Sequence, residues 1–474
     1  MLIERLESIV GGGNVRRGED GASDYTHDEG LGIEPVAPLA VVCPADTAQV
    51  ASIVRLAGQE GVPISARGSG TGLSGGCVPV PGGLVVSFER MDRVVEIDEA
   101  NQVAVVQPGI TLEQLDAALA PMGFLYPVMP GESSASIGGN VGTNAGGMRA
   151  VKHGVTRHHV LGVEAVLGTG EVIRTGGKFV KSSAGYDITQ LIVGSEGTLA
   201  LVTEATLKLQ PRPAHSATVL AAFKTLDEVS AAVPPVVSSG IDPSVLEYLD
   251  MLTLQATTDA VGMDVGVSAE VREAALAYLL VVLESHHADR LDQDVEILAE
   301  LLGRLGALEV YVLGARAAGQ LIEARERAFF VAKAHGSDDI VDVVVPRAQM
   351  PVYLDRVVAL ARAEESMVAG CGHAGDGNVH LSVFQPDADR RSRLMRSILA
   401  AGLELGGAIS GEHGIGLAKR AYFLELEDPA KIALMARIKA AFDPLGILNP
   451  GKTLAATTSA PSVLRVVDGS EPSR

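Results

Sequence analysis

Two glycine-rich stretches in the first half of the chain constrain its fold more than any other feature. Arg67-Gly-Ser-Gly-Thr-Gly-Leu-Ser-Gly-Gly76 follows a predicted strand at 62–66, and the segment from Met129 to Gly147 holds six glycines in 19 positions, interleaved with Ser, Thr and Asn. Glycine permits positive φ and close approach of a ligand to the backbone, while the small polar residues offer hydrogen bonds. Two such stretches on one domain suit a large, extended cofactor better than a small metabolite.

The surroundings of the first stretch narrow the type of site. Gly70, Gly72 and Gly75 fit GxGxxG, but Cys77-Val-Pro79-Val-Pro81 cannot open the helix that a nicotinamide-binding turn requires. No Lys-Ser or Lys-Thr closes the run, which excludes a Walker phosphate loop. Two readings remain: a turn whose exposed amides cradle an anion such as a pyrophosphate, or a plain connection between strands.

Around these stretches the pattern predicts a helix after Cys43-Pro44, capped by Asp46 or Thr47, and short strands such as 84–88, 94–97 and 163–167, the segment closing with Gly194 to Leu209. At 474 residues two domains are expected, and Gln210-Pro-Arg-Pro213 is a natural break between them. Beyond it, strands at 279–283, 309–313 and 340–345 alternate with helices at 291–305, 318–334 and 349–365. The fold class is therefore α+β, with a large antiparallel sheet in the second half covered by helices on one face.

The second half also carries Cys371-Gly-His373-Ala-Gly-Asp376-Gly-Asn378-Val-His380 and, further on, Ser410-Gly-Glu412-His413-Gly414. His373, His380 and Glu412 supply two imidazoles and a carboxylate, a ligand set for one divalent cation with an open position. Zinc is the first expectation, and manganese and iron accept the same set. His413 is left free to act as a base. Asp376 and Asn378 either orient a histidine or form the turn between the two. Glu412 and His413, being adjacent, need a bend to share one pocket.

Composition excludes other classes. A net charge of -20 repels both nucleic acid backbones and anionic lipid, and an anionic substrate then needs local positive charge. Cys43, Cys77 and Cys371 form no CxxC pair and no iron-sulfur ligand set, so a one-electron relay must lie on another protein. No apolar run is long enough to span a bilayer, and the acidic N-terminus does not read as a secretory signal. A cytoplasmic location is expected, with a peripheral position on the inner membrane face left open.

These motifs together resemble the FAD-linked 2-hydroxyacid dehydrogenases, the D-lactate dehydrogenase and glycolate oxidase flavin-subunit branch of the vanillyl-alcohol oxidase and para-cresol methylhydroxylase (PCMH) superfamily. The resemblance runs from Tyr25-Thr-His-Asp28 to Asn449-Pro-Gly-Lys452 and includes Gly185-Tyr-Asp187, Gly194-Ser-Glu-Gly-Thr198 and Phe442-Asp-Pro444. It implies a PCMH-type FAD-binding domain at 1–213, to which 443–456 return, a substrate- and metal-binding cap at 214–442, and a mobile tail at 457–474. It also implies that Arg67, Gly68, Ser69, Gly70, Thr71, Gly72 and Ser74 hold FAD. The second stretch would contribute Pro130, Gly131, Ser136, Gly138, Gly139, Asn140, Thr143, Asn144 and Gly147, joined by Glu196, Val202 and Asn449. Some relatives bond FAD covalently through a histidine in the first glycine loop; this loop has Ser69 and no histidine, so non-covalent FAD is expected. His153 stands where many relatives have a tyrosine.

The activity implied is oxidation of a small D-2-hydroxy acid, D-lactate-like or glycolate, to the 2-oxo acid, by hydride transfer to flavin N5. Arg325 is the expected carboxylate anchor, its planar fork of donors suiting that task. Phe329, Ile340 and Ser382 replace the threonine, lysine and asparagine of the hydroxyglutarate branch. With them goes the means of holding a second carboxylate. The electron acceptor would be an electron-transfer flavoprotein, a quinone, a cytochrome or an iron-sulfur subunit, and a homodimer is left open. The competing readings are a D-2-hydroxyglutarate-type dehydrogenase, a flavoenzyme for another alcohol, and an FAD-binding subunit that works only within an electron-transfer complex.

Overall fold

The computed structural model describes residues 1–17 and 19–456; the expected tail at 457–474 lies outside the described residues. The first sheet joins β1 (Val15–Arg16), β2 (Ala40–Val42), β3 (Ile64–Arg67) and β4 (Leu84–Ser87) in the order β1-β2-β4-β3. Its last three strands are parallel, and the crossover from β2 to β3 is the helix Thr47–Glu60. Asp46 starts that helix by accepting the Gln49 amide at 2.9 Å, Gly61 at φ 65° ends it, and Val50, Ile53, Val54 and Ala57 form its buried stripe. No helix follows the glycine run after β3, in agreement with the rejection of a dinucleotide turn.

The second glycine stretch does contain a helix, Ile137–Thr143, which its composition concealed. Ser136 caps it by accepting the Gly139 amide at 3.2 Å, and Ile137 and Val141, four apart, bury on one side. The next strands are β5 (Val94–Asp98), β6 (Val103–Val106), β7 (Phe124–Leu125), β8 (Val160–Leu167), β9 (Val172–Gly176), β10 (Ala200–Lys208) and β11 (Gln210–Pro211). An antiparallel sheet runs β5-β6-β10-β8-β9, and β11 pairs β7, so the proline-containing break opens on a short strand.

The second half is built on seven antiparallel strands: β12 (His215–Phe223), β13 (Val245–Asp250), β14 (Ala277–Ser285), β15 (Glu309–Leu313), β16 (Asp339–Val344), β17 (Met367–His373) and β18 (Asn378–Phe384), ordered β15-β12-β14-β13-β17-β18-β16. Val219, Ala221 and Phe223 of β12 bury on one face in a core shared with helices Leu226–Ser238, Ala288–Arg304, Met350–Ala363 and Ala388–Glu404. Leu220 and Ala222 bury on the other, with Leu254 and Leu321 of helices Met251–Ala260 and Ala315–Glu326. The expectation of helices on one face is thus corrected: the central strands are apolar on both sides, and both sides are covered.

The single helix expected at 318–334 is two, Ala315–Glu326 and Ala328–Ala334, divided at Arg327. Each has its own anchor. Arg325 ties the first to β13 through Glu247, and Lys333 ties the second to Glu29 of the first half at 2.7 Å. Near its end the chain returns to the first half, where the Asn449 amide donates to the Ile64 carbonyl at 2.7 Å and the buried Lys452 amine to the Val78 carbonyl at 2.9 Å. Among the described residues no helix is long and apolar enough to cross a membrane.

Candidate active site

Strand register brings the first polar cluster together. In β17 and β18, Cys371 pairs with His380 and His373 with Asn378; in β16, Asp342 pairs with His380. Directly paired residues share a face, so both histidines and Asp342 stand on the same side of the sheet. Glu247, on β13, reaches them from the neighbouring strand and accepts the His373 Nδ1 proton at 2.6 Å.

The second cluster is bent into the same space by Asp342, a fully buried carboxylate. It accepts the amides of Glu412 at 3.2 Å and His413 at 2.8 Å and the Ser410 hydroxyl at 2.6 Å; the Lys419 amine lies 3.5 Å away. Glu196 of the first half holds the next turn, accepting the amides of Ile415 and Gly416, each at 2.8 Å. Gly414 and Gly416 have φ of 81° and 50°, and a Cβ on Gly416 would stand 2.0 Å from the Ser74 carbonyl. These contacts make the bend that lets Glu412 and His413 face one pocket.

Glu412 Oε1 lies 3.2 Å from both His373 Nε2 and His380 Nε2, and the three donor atoms are within 4.8 Å of one another. Because His373 gives its Nδ1 proton to Glu247, its Nε2 lone pair faces a carboxylate oxygen; a proton or a cation must lie between two such acceptors. Burial opposes a charge on His373, yet Glu247 and Glu412 raise its pKa well above the histidine range. Against the same burial, His373 and His380 hold the Glu412 carboxyl well below its usual range. Both His380 nitrogens, Glu412 Oε2 and His413 Nδ1 are buried without a hydrogen-bond partner, the His380–Glu412 approach having the distance but not the angles of one. The donor set fits a divalent cation. Asp342, His380 and His413 form a second close triad.

His413 stacks on His380 with ring centroids 5.0 Å apart. Burial, helped by Lys419 and His380 and opposed by Asp342, pushes its imidazole down to about 3. It is therefore neutral at ordinary pH. Arg325 is buried, while its helix neighbours Glu323 and Arg327 are exposed. Its Nε donates to Glu247 Oε2 at 2.8 Å and Nη2 lies 2.6 Å from the same oxygen.

Two adjoining cavities meet at this cluster. The first, of about 250 Å³, is lined by Arg67, Gly68, Ser69, Gly70, Thr71, Gly72 and Ser74, and by Pro130, Gly131, Ser136, Gly138, Gly139, Asn140, Thr143, Glu196 and Val202. The second, of about 430 Å³, is lined by Arg325, Phe329, Ser382, His373 and His380. Phe329, Glu412 and His413 border both.

Comparison with known proteins places this architecture. A family model described as "FAD linked oxidases, C-terminal domain" matches residues 212–453, and a second, "FAD binding domain", matches residues 38–176. An uncharacterized FAD-linked oxidoreductase of Mycobacterium tuberculosis is 55% identical over 95% of this chain and 98% of its own. The chain belongs to the FAD-linked oxidases. The glycolate oxidase subunit GlcD of Bacillus subtilis is 36% identical and the D-lactate dehydrogenase of Anaerostipes hadrus 34%, each over 95% of this chain and 96% of its own. In fold, p-cresol methylhydroxylase superposes with a TM-score of 0.78, at 17% identity, over 96% of both chains. The PCMH-type fold expected from the resemblance is the one observed.

In this FAD-linked oxidase the glycine-lined cavity has the backbone character that FAD requires. Among the described residues lining it, the one imidazole is His413, at the end beside Glu412. The Arg67 side chain points away, donating to the carbonyls of Asp24 and His27 at 2.7 and 2.6 Å, so what it offers a ligand is backbone. Asn144, Gly147 and Asn449 are not among the lining residues. Asn144 holds φ 54° and accepts the Arg157 amide at 2.9 Å, Gly147 packs under the Met129 carbonyl, and Asn449 Nδ2 donates to the carbonyls of Gly76 and Glu196 at 2.8 and 2.7 Å. They brace the loops. The Glu196 carboxylate is likewise taken up by backbone amides.

Asp376 accepts the amide of Asn378 at 3.2 Å in the β17–β18 turn, while Asn378 Nδ2 donates to Asp342 at 3.0 Å and so steadies the second cluster. Burial pushes the Cys371 thiol up to about 11, which leaves it no thiolate character. Sequence reasoning missed Glu247 and Asp342. The available signal was one carboxylate inside each of two apolar strand patterns, Val-Leu-Glu-Tyr-Leu and Ile-Val-Asp-Val-Val, where an unpaired charge is costly.

Proposed function

We propose that this FAD-linked oxidoreductase oxidises a D-2-hydroxy acid with an uncharged side chain, of the D-lactate or glycolate type, to the 2-oxo acid. The observation that carries the reading is the convergence of Arg325, the cation-competent triad His373, His380 and Glu412, and neutral His413 on a cavity that adjoins the glycine-lined one. Arg325 binds the substrate carboxylate. A divalent cation held by the triad would supply Lewis acidity toward the substrate hydroxyl. His413 accepts the hydroxyl proton, and the neighbouring Asp342 stabilises the imidazolium so formed. FAD supplies the acceptor for the hydrogen that leaves C2 with its electron pair, and the two electrons pass on to a non-NAD acceptor such as a quinone, a cytochrome, an iron-sulfur subunit or another flavoprotein.

Anaerobic addition of D-lactate to the purified holoprotein should bleach the flavin and yield one pyruvate per flavin, and prior treatment with a chelator should abolish both. A protein that binds no flavin, or whose flavin is bleached by no 2-hydroxy acid, contradicts the reading. Preferential bleaching by D-2-hydroxyglutarate would return the alternative that Ile340 and Ser382 argue against.

A further inference from the structure

The second cavity is long and apolar where the chemistry of a three-carbon acid needs neither. Its floor is the face of β17 and β18, where register sets Cys371 beside His380, Ala369 beside Ser382 and Met367 beside Phe384. Moving away from the histidines, the floor passes from imidazoles to small side chains and then to large apolar ones. The four steps along the strand from His380 to Phe384 cover on the order of 13 Å. Leu252 and Ala256 of the helix Met251–Ala260 face this floor across the cavity.

Ser382 sets one hydroxyl midway along the floor, and that of Thr257 is already used. Thr257 Oγ1 donates within its own helix, 2.7 Å from the Thr253 carbonyl. Arg325, the guanidinium of the cavity, belongs to the histidine end through Glu247. At the far end Leu252 and Met367 are about half exposed, so the cavity opens to solvent between two apolar side chains. A volume of 430 Å³ falls in the range of roughly 300–1,000 Å³ typical of sites for drug-sized ligands, well beyond what a lactate needs.

Resting on the function proposed above, we infer that the preferred substrate is a 2-hydroxy acid with an extended apolar substituent, its head at Arg325 and the triad and its tail along Ala369, Met367 and Phe384 toward Leu252. Two sources share this chemistry: straight medium-length acyl chains, and the branched or aromatic side chains of acids related to hydrophobic amino acids. The reaction at C2 is the one already written.

The test uses the holoenzyme. kcat/KM is measured for D-lactate, D-2-hydroxybutanoate, D-2-hydroxyhexanoate and D-2-hydroxyoctanoate, and for D-2-hydroxy-4-methylpentanoate and D-phenyllactate. Binding of the corresponding 2-oxo acids is followed in parallel by perturbation of the flavin spectrum. Each methylene buried should improve kcat/KM and the 2-oxo acid Kd roughly fourfold, so hexanoate should exceed lactate by at least about tenfold. The better of the straight and the branched or aromatic arms identifies the source. Ala369→Leu and Ala256→Phe should each lower the hexanoate-to-lactate ratio about tenfold, the two variants checking each other for misfolding through their FAD content. Equal or falling kcat/KM, with a Kd that stays equal or rises with chain length while D-lactate is still oxidised, overturns the inference and leaves the proposed function standing. Bleaching by no 2-hydroxy acid of any length overturns the proposed function as well.

Discussion

The two cavities that meet at Glu412 and His413 are built by opposite means. The first presents backbone: its walls are glycines and small residues, and its shape is kept by braces behind them, such as Arg67 on the Asp24 and His27 carbonyls and Asn449 across Gly76 and Glu196. The second presents side chains projecting from a rigid sheet, held by two buried carboxylates that each serve several partners. A backbone-lined site is lost when a Cβ intrudes. A side-chain site is lost when the charge behind it goes.

The largest effect should come from Asp342→Ala. It removes the acceptor for Ser410, Glu412 and His413 together and strips the buried Lys419 of its counter-charge, so a loss of roughly 3–5 kcal/mol in urea unfolding is expected. Cation content, measured by atomic emission, should fall with it while the glycine-lined cavity keeps its FAD. Next is Glu247→Gln, which weakens the orientation of His373 and unpairs Arg325. Cation affinity measured against a competing chelator should drop about 10- to 100-fold, the usual effect of losing a carboxylate behind a metal-binding histidine.

Gly68→Ala attacks the other side. Its Cβ would stand 1.9 Å from the Ser136 hydroxyl that caps the helix Ile137–Thr143, so the cap must move, at about 1 kcal/mol. The flavin-to-protein ratio after gel filtration should fall while cation affinity stays as it was; joint loss of both would mean that the two halves are not separable. The smallest effect concerns His153. Burial, aided by Lys152 and Arg149, pushes its folded-state pKa down to about 4, below the unfolded value near 6.5. The unfolded chain therefore takes up the proton first as pH falls, and stability is lost between about 6.5 and 4. Discounted for partial exposure, the share due to His153 is about 1 kcal/mol. His153→Gln should flatten the acid limb of the melting-temperature profile by that amount.

What could be read in the sequence divides along the same line. The helix Thr47–Glu60 was legible because an aspartate cap and a 3.6-residue apolar stripe agree, and the glycine run after β3 because prolines forbid a helix behind it. The helix Ile137–Thr143 was not, since three glycines mask a cap and an i, i+4 apolar pair whose value appears only on burial. His373, His380, Glu412 and His413 stood out by their neighbours. Glu247 and Asp342 did not, because what gives them partners is strand register across β13, β16, β17 and β18, a pairing over as many as 126 residues that local pattern does not contain.

The central claim is that one site spans both cavities, with His413 acting on a substrate held at the triad beside the cofactor. Stopped-flow reduction of the flavin in His413→Ala, with FAD and cation contents confirmed equal to those of the unaltered protein, tests it most directly. The account predicts that substrate-driven reduction slows by roughly 10²- to 10⁴-fold, while the flavin still accepts electrons from dithionite. Reduction by the substrate at a rate within a few-fold of the unaltered protein would contradict it.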